Sequence, residues 1–149
     1  MKIYIGADHK GFGLKGDVIS YLNVNGHEVV DLGAENYVED DDYSDYGIAV
    51  GEYVAKDSGS MGILICGTGI GICIASNKVK GIRAGLCNTE EVARLARNDD
   101  DINVLVLSSV LHDSLDIAVK VVDVFLFTQF DNSEKRIRRI EKITSYEQG

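Results

Sequence analysis

The sequence predicts a doubly wound α/β fold, a five-stranded parallel sheet with helices on both faces, and three observations carry that prediction. Short apolar runs alternate with segments of helical spacing along the whole chain. Runs such as GILIC and NVLVL are apolar almost without a break, the pattern of parallel strands buried on both faces. Strict strand and helix alternation implies right-handed crossovers between neighbouring strands.

The elements follow in order. Lys2 to Ala7 reads as a first strand, and Gly11 to Leu22 as a helix that stops near Asn25-Gly26. His27 to Leu32 is a second strand, Asp45 to Lys56 a helix, Met61 to Cys66 a third strand and Ile70 to Lys78 a short helix. Arg83 to Cys87 is a strand, Glu90 to Arg97 a helix, Asn103 to Leu107 the fifth strand, and Leu115 to Phe127 a long apolar-faced helix. An extra helix over about 132–147 places Ile137, Ile140, Ile143 and Tyr146 on one stripe, opened by an Asp131/Glu134 capping pair. With no sixth strand to return to, this helix either packs on a partner subunit, which predicts at least a homodimer, or folds back on its own domain.

Composition bounds the function. A chain of 149 residues, 45% hydrophobic and 26% charged, suits one domain over 1–149 with a real core. No apolar stretch reaches the length of a membrane helix, and MKIYIGAD reads as a strand rather than a signal peptide, so a cytoplasmic location is expected. Three cysteines, with no paired CxxC and histidines, predict reduced thiols, no disulfide framework and no metal site. A net charge of -9 argues against nucleic acid as partner. The acidic run Glu39 to Asp42 reads as a solvated loop, while Lys135, Arg136, Arg138, Arg139 and Lys142 crowd near the C-terminus.

In open α/β sheets ligands bind beyond the carboxyl ends of the strands. Those ends are Asp8-His9, the loop leading to Tyr43, Cys66 to Gly69, Cys87-Asn88 and Ser108-Ser109. Gly67, Gly69 and Gly71 around Thr68 let backbone N–H groups turn toward an anion at the start of a helix. The spacing matches neither the Walker pattern nor the dinucleotide fingerprint. Cys66 is then either a small packed residue or a base over a glycine-lined anion hole, and the adjoining loop favours the base, with its pKa lowered by the amides. Cys73 and Cys87 lack such neighbours and read as core. Asp8-His9 reads equally as a loop pair or a functional pair, whereas His27 and His112 read as structural. A receiver or flavodoxin-like binding module is disfavoured, since Cys66 and Ser108 stand where a receiver needs Asp and Lys.

Four segments, GADHKGFGLK (Gly6 to Lys15), DYSDYG (Asp42 to Gly47), GILICGTGIGICIASNKVKGIRAGLC (Gly62 to Cys87) and INVLVL (Ile102 to Leu107), carry a further signal. In order and spacing they resemble the type B ribose-5-phosphate isomerase family, which includes galactose-6-phosphate isomerase subunits and allose-phosphate enzymes. The resemblance implies a Rossmann-like α/β/α sandwich, dimers or tetramers with the site between subunits, and cofactor-free, metal-free interconversion of aldose and ketose phosphates in carbohydrate metabolism. It implies Cys66 as the base that shuttles a proton between sugar carbons, with Thr68 hydrogen-bonding beside it. The amides of Gly67, Gly69, Ile70 and Gly71 would hold the enediolate oxygen, and Asp8, His9, Tyr43 and Asn88 would line the sugar pocket. Asp99 stands where ribose-phosphate members carry a ring-opening histidine, and Asp100 beside it is read as a substrate contact. The DNSEKRIRRIEKI stretch resembles one galactose-6-phosphate isomerase subunit, which leaves five- and six-carbon substrates, and the need for a paralogous subunit, open. Cations at the start of that helix oppose its dipole and call for a counter-charge. A sugar phosphate held by Arg136 and Arg139 would supply it, as would a solvated face balanced by Asp131 and Glu134.

Overall fold

The computed structural model describes every residue of the chain except Asp113. β1 (Lys2–Ala7), β2 (Glu28–Asp31), β3 (Met61–Cys66), β4 (Ala84–Leu86) and β5 (Val104–Ser108) form one sheet in the order β2-β1-β3-β5-β4. All four pairings are parallel. Side-chain alternation along the strands divides the core in two. Ile3, Ile5, Ile63, Ile65, Leu105 and Leu107 meet Val18 and Leu22 of α1 (Phe12–Val24) and Val121, Val122 and Phe125 of α5 (Leu115–Phe127). Tyr4, Leu64, Cys66, Val104 and Val106 turn the other way, under Val50 and Val54 of α2 (Tyr43–Lys56) and Ile72 of α3 (Ile70–Ser76). Burial of each large side chain contributes about 1.5–3 kcal/mol. The same alternation sets Cys66 on the α2/α3 face.

Helix ends differ from the sequence expectation where tertiary contacts decide them. α3 stops at Ser76 rather than Lys78, because the Asn77 side chain leaves the helix to pair with β4. Its Nδ2 donates to the Ala84 carbonyl at 3.0 Å and its Oδ1 accepts from the Ala84 amide at 2.9 Å. This clamp covers a three-residue edge strand. α4 (Glu90–Asp100) runs past Arg97, and Asp101 closes it in a left-handed conformation with φ 47. The Ile102 and Asp101 amides cap the Ala96 and Arg97 carbonyls, while the Arg97 and Arg83 side chains grip the Asp101 carboxylate.

α6 (Glu134–Gln148) forms as expected, but Asp131 and Glu134 do not cap it. Ser133 occupies the N-cap without a side-chain cap bond, and Asp131 instead accepts from the Arg136 guanidinium. None of its residues is buried, and Ile143 and Tyr146 remain 53% and 88% exposed, an apolar stripe that its own sheet does not cover. Among the described residues no helix is long and apolar enough to cross a membrane.

The turn from β1 into α1 passes tightly over β3. A Cβ on Gly11 would lie 2.4 Å from the Ile65 carbonyl oxygen, a backbone atom held in the sheet, whereas one on Gly13 meets nothing within 4 Å. Gly11→Ala should therefore destabilise the fold by about 2 kcal/mol or more, and Gly13→Ala should be neutral or stabilise by up to ~1 kcal/mol, as read by urea denaturation.

Candidate active site

β1 and β3 are neighbours, yet the chain leaves β1 for α1 on one face and β3 for α3 on the other. A crevice opens between their carboxyl ends, the topological switch point at which doubly wound sheets bind ligands. A cleft of about 260 Å³ sits there, lined by Asp8, His9, Lys10, Tyr43, Cys66, Gly67, Thr68 and Gly71. Larger clefts occur elsewhere, one of about 510 Å³ between β4 and α6, but this one brings a thiol, an imidazole and a glycine loop together.

Cys66 is buried at the end of β3 with 4% exposure. Gly69 follows in the left-handed region, φ 81, and turns the chain at once into α3. Backbone amides of Ile72 and Gly69 face the sulfur as a result. Burial nevertheless dominates and pushes the Cys66 thiol up, and the nearby Asp8 carboxylate adds to the rise while the two amides and Lys10 oppose it. The lowered thiol expected from the glycine loop alone is corrected on this point. A thiolate of raised pKa is scarcer at neutral pH and a stronger base when formed.

Thr68 lies exposed at the rim, and its Oγ1 accepts the Ile70 amide at 3.2 Å, leaving the hydroxyl proton free to donate outward. The Ile70 amide is thus engaged by Thr68 and the Gly69 amide by the Cys66 sulfur, and neither residue lines the cleft, so the amides of Gly67 and Gly71, which do, are the better candidates for an oxyanion. The Ser108 hydroxyl donates to the Gly67 carbonyl at 2.8 Å and braces the loop from β5. The Tyr43 ring stands against the backbone of Gly71 across the cleft. Asp8, buried, accepts the Lys10 and Gly11 amides at 3.0 and 3.2 Å, so it shapes its own loop as well as lining the cleft.

Two residues that sequence reasoning passed over belong to this neighbourhood. Lys10 stretches its stem over Gly67 and brings a cation to the cleft. Asp41 is not part of a solvated loop: its side chain is only 7% exposed and its Oδ1 lies 2.8 Å from His9 Nδ1. Asp8, His9 and Asp41 present polar atoms within 4.8 Å of one another, but His9 and Asp41 already satisfy each other and Asp8 holds two amides.

Other expected site residues lie outside the cleft of their own chain. Asn88 lies two residues beyond β4, a strand two places from β3 or roughly 10 Å away, and its carbonyl meets the buried His112 ring. Asp99 and Asp100 occupy the last turn of α4, an eleven-residue helix that carries them roughly 16 Å from the carboxyl edge of the sheet. There Asp99 pairs with Arg136 at 2.7 Å, and Asp131 holds the same guanidinium. The counter-charge that Arg136 calls for is thus present within the chain. Asp100 and Arg139 line the β4/α6 cleft. Cys87 is buried, its thiol pushed up to about 12 by that burial, while Cys73 is half-buried at the core edge.

A family model described as Ribose/Galactose Isomerase matches residues 3–143. The chain belongs to the ribose/galactose isomerase family. A curated relative from Mycoplasma genitalium, a probable ribose-5-phosphate isomerase B, is 46% identical over 147 residues, covering 97% of this chain and 95% of the relative. The ribose-5-phosphate isomerase B of Clostridium thermocellum superposes with a TM-score of 0.94 at 41% identity, covering 99% of this chain and 98% of that one. The crystal structure of the Mycoplasma genitalium enzyme with bound ribulose-5-phosphate gives 0.94 at 43% identity, covering 99% and 96%. Family membership is thus of the type B ribose-5-phosphate isomerase kind, on the fold described above.

Burial of the thiol sets an expectation for its chemistry. Iodoacetamide labelling of the Cys66 peptide, followed by mass spectrometry, should be slow at pH 7 and accelerate as pH rises beyond the range in which an ordinary thiol has ionised. Lys10→Met should move the curve further toward alkaline pH, because it removes a charge that favours thiolate.

Proposed function

We propose that this chain is an aldose–ketose isomerase that interconverts ribose 5-phosphate and ribulose 5-phosphate with Cys66 as the base. The observation that carries the reading is the buried thiol at the β1/β3 crevice, faced by amides of a left-handed glycine turn. The substrate assignment draws on relatives that carry this activity in their names and on the ribulose-5-phosphate complex of one of them.

The chemistry follows from the groups in place. The thiolate removes the C2 proton of the open-chain aldose, and the electron pair forms the C1–C2 double bond as charge moves onto the carbonyl oxygen. Amides of Gly67 and Gly71 hold that oxygen, with Thr68 donating alongside. A proton passes from O2 to O1, and the thiol returns its proton to C1. No electron leaves the substrate, so neither a redox cofactor nor an external acceptor is required.

A phosphate dianion needs more cationic charge than the cleft provides, where Lys10 is offset by Asp8. We infer that a second copy supplies it, its α6 stripe seating against this chain and bringing Arg136, Arg139, Asp99 and Asp100 to the Cys66 cleft. Asp99 accepts from Arg136 and Asn98 and is a carboxylate rather than a proton donor, which makes ring opening the step at which this chain departs from ribose-type relatives. That observation favours a second reading, a six-carbon sugar 6-phosphate as substrate or a paralogous subunit as partner. Residence in the cytoplasm, on the pentose phosphate route, accompanies the first reading.

The purified protein should interconvert ribose 5-phosphate and ribulose 5-phosphate, followed by ketose absorbance, and sediment as a dimer or larger. Cys66→Ala should lower kcat at least ~1,000-fold with an unchanged circular dichroism spectrum. Turnover of galactose or allose 6-phosphate in preference to ribose 5-phosphate would move the assignment to the second reading, and full activity of Cys66→Ala would remove the mechanism.

A further inference from the structure

The acidic run after β2 enters the molecule at one residue. Asp40 and Asp42 stay exposed, while Asp41 folds inward and spends both carboxylate oxygens on protein partners. Its Oδ1 accepts the His9 backbone amide at 3.0 Å and meets the His9 ring Nδ1 at 2.8 Å, and its Oδ2 accepts the Tyr46 hydroxyl at 3.0 Å. Burial pushes the Asp41 carboxyl upward, but these hydrogen bonds together outweigh it and hold the group below its ordinary value. The Tyr46 phenol shows the reciprocal effect, pushed up to about 12 by burial and then by the Asp41 charge.

Loop shape alone does not call for this carboxylate, because Asp8 already pins the turn through the Lys10 and Gly11 amides. What Asp41 adds is control of the His9 ring. An ionised carboxylate only accepts, so the nitrogen that faces it must carry the hydrogen, and neutral His9 is fixed as the Nδ1–H tautomer. Nε2 is then a bare acceptor on the far side of the ring, and His9 lines the same cleft as Cys66. The Tyr37 ring, edge-on with its centroid 6.5 Å away, limits tilting. α2 therefore serves the cleft twice, through Tyr43 directly and through Tyr46 by way of Asp41.

We propose that Asp41 is a positioning residue for isomerisation, fixing the orientation and tautomer of His9 so that Nε2 accepts a hydrogen bond from a sugar hydroxyl, with Tyr46 anchoring the carboxylate. The proposal rests on the isomerase reading for its kinetic part and stands apart from it for its structural part.

Nitrogen-15 NMR of imidazole-labelled protein at alkaline pH decides the structural part without any turnover: His9 should show a protonated Nδ1 and an unprotonated Nε2. Asp41→Leu should shift His9 toward the Nε2–H form. A double-mutant cycle decides the kinetic part. Asp41→Asn should lower kcat/KM about 10–100-fold in the presence of His9, and less than about twofold in the His9→Ala background. Thermal midpoints should fall less in the His9→Ala background, where the ring contact to Asp41 is already absent. An equal kinetic loss in both backgrounds, or an Nε2–H tautomer in the unaltered protein, overturns the proposal. Absence of isomerase activity in the unaltered protein overturns the functional reading instead, and the NMR result then still decides how His9 is held.

Discussion

The pairing of β1 with β3 is the constraint on which the rest depends. Its register, Ile3 with Met61 through Ala7 with Ile65, ends both strands at the same level, so that Asp8 and Cys66 emerge side by side. Because the following helices depart to opposite faces, nothing from the backbone fills the space between the two loops. A slip of one residue would turn Cys66 from the α2/α3 face to the α1/α5 face and remove the thiol from the cleft. The apolar side chains of both strands hold the register, since the same slip would expose Ile63 and Ile65 to a cavity shaped for Leu64 and Cys66. Core packing and catalytic geometry are therefore one specification, not two.

Electrostatics at the cleft follow from that burial. The strand that delivers Cys66 also takes it out of water, and loss of hydration outweighs the amide field that the glycine turn provides. In the proposed role of Cys66 as base this balance is useful: the thiolate gains basicity, and the amides of the loop stand where charge would develop on an oxygen. The same low-dielectric setting makes a stray orientation of His9 costly. The carboxylate–imidazole contact lies away from bulk solvent on the Asp41 side, and its hydrogen bonds are correspondingly strong.

Elements whose cues are local could be read directly from the chain. Met61–Cys66 and Leu115–Phe127 match their expected bounds residue for residue, because the first is an unbroken apolar run and the second keeps an apolar face at helical spacing around Asp116, Lys120 and Asp123. The order of strands β5 and β4 carries no such cue, and neither does the end of α4, where Asp101 adopts a left-handed conformation that two arginine side chains stabilise. Around the candidate site, CGTGIG was legible as a loop that could stabilise an anion, since glycine and thiol spacing are written in the sequence. Asp41 was not, because four consecutive acidic residues look alike until Tyr46 and His9 select one of them. The direction of the Cys66 shift was misread for a similar reason: dipoles are local and countable, whereas desolvation depends on what α2 and α3 place above the sulfur.

Charge distribution gives the proposed assembly its physical logic. The Cys66 cleft and the basic stretch of α6 lie at opposite ends of the sheet, separated by the length of α4. In a single chain, Arg136 is satisfied by Asp99 and Asp131, so its charge is stored rather than free. A phosphate that displaced one of these carboxylates would exchange one anionic partner for another, so binding would be governed by the difference between two ion pairs and not by the full strength of either. Such an exchange discriminates by geometry more than by charge. A five-carbon and a six-carbon phosphate differ by one carbon in the distance between the phosphorus and the carbonyl carbon, and in the proposed assembly a guanidinium held at a set position by Asp99 would be sensitive to that difference. In the proposed assembly the Asp99–Arg136 ion pair ties two properties together, because any change at Asp99 would alter both the proton chemistry brought to the cleft and the placement of Arg136.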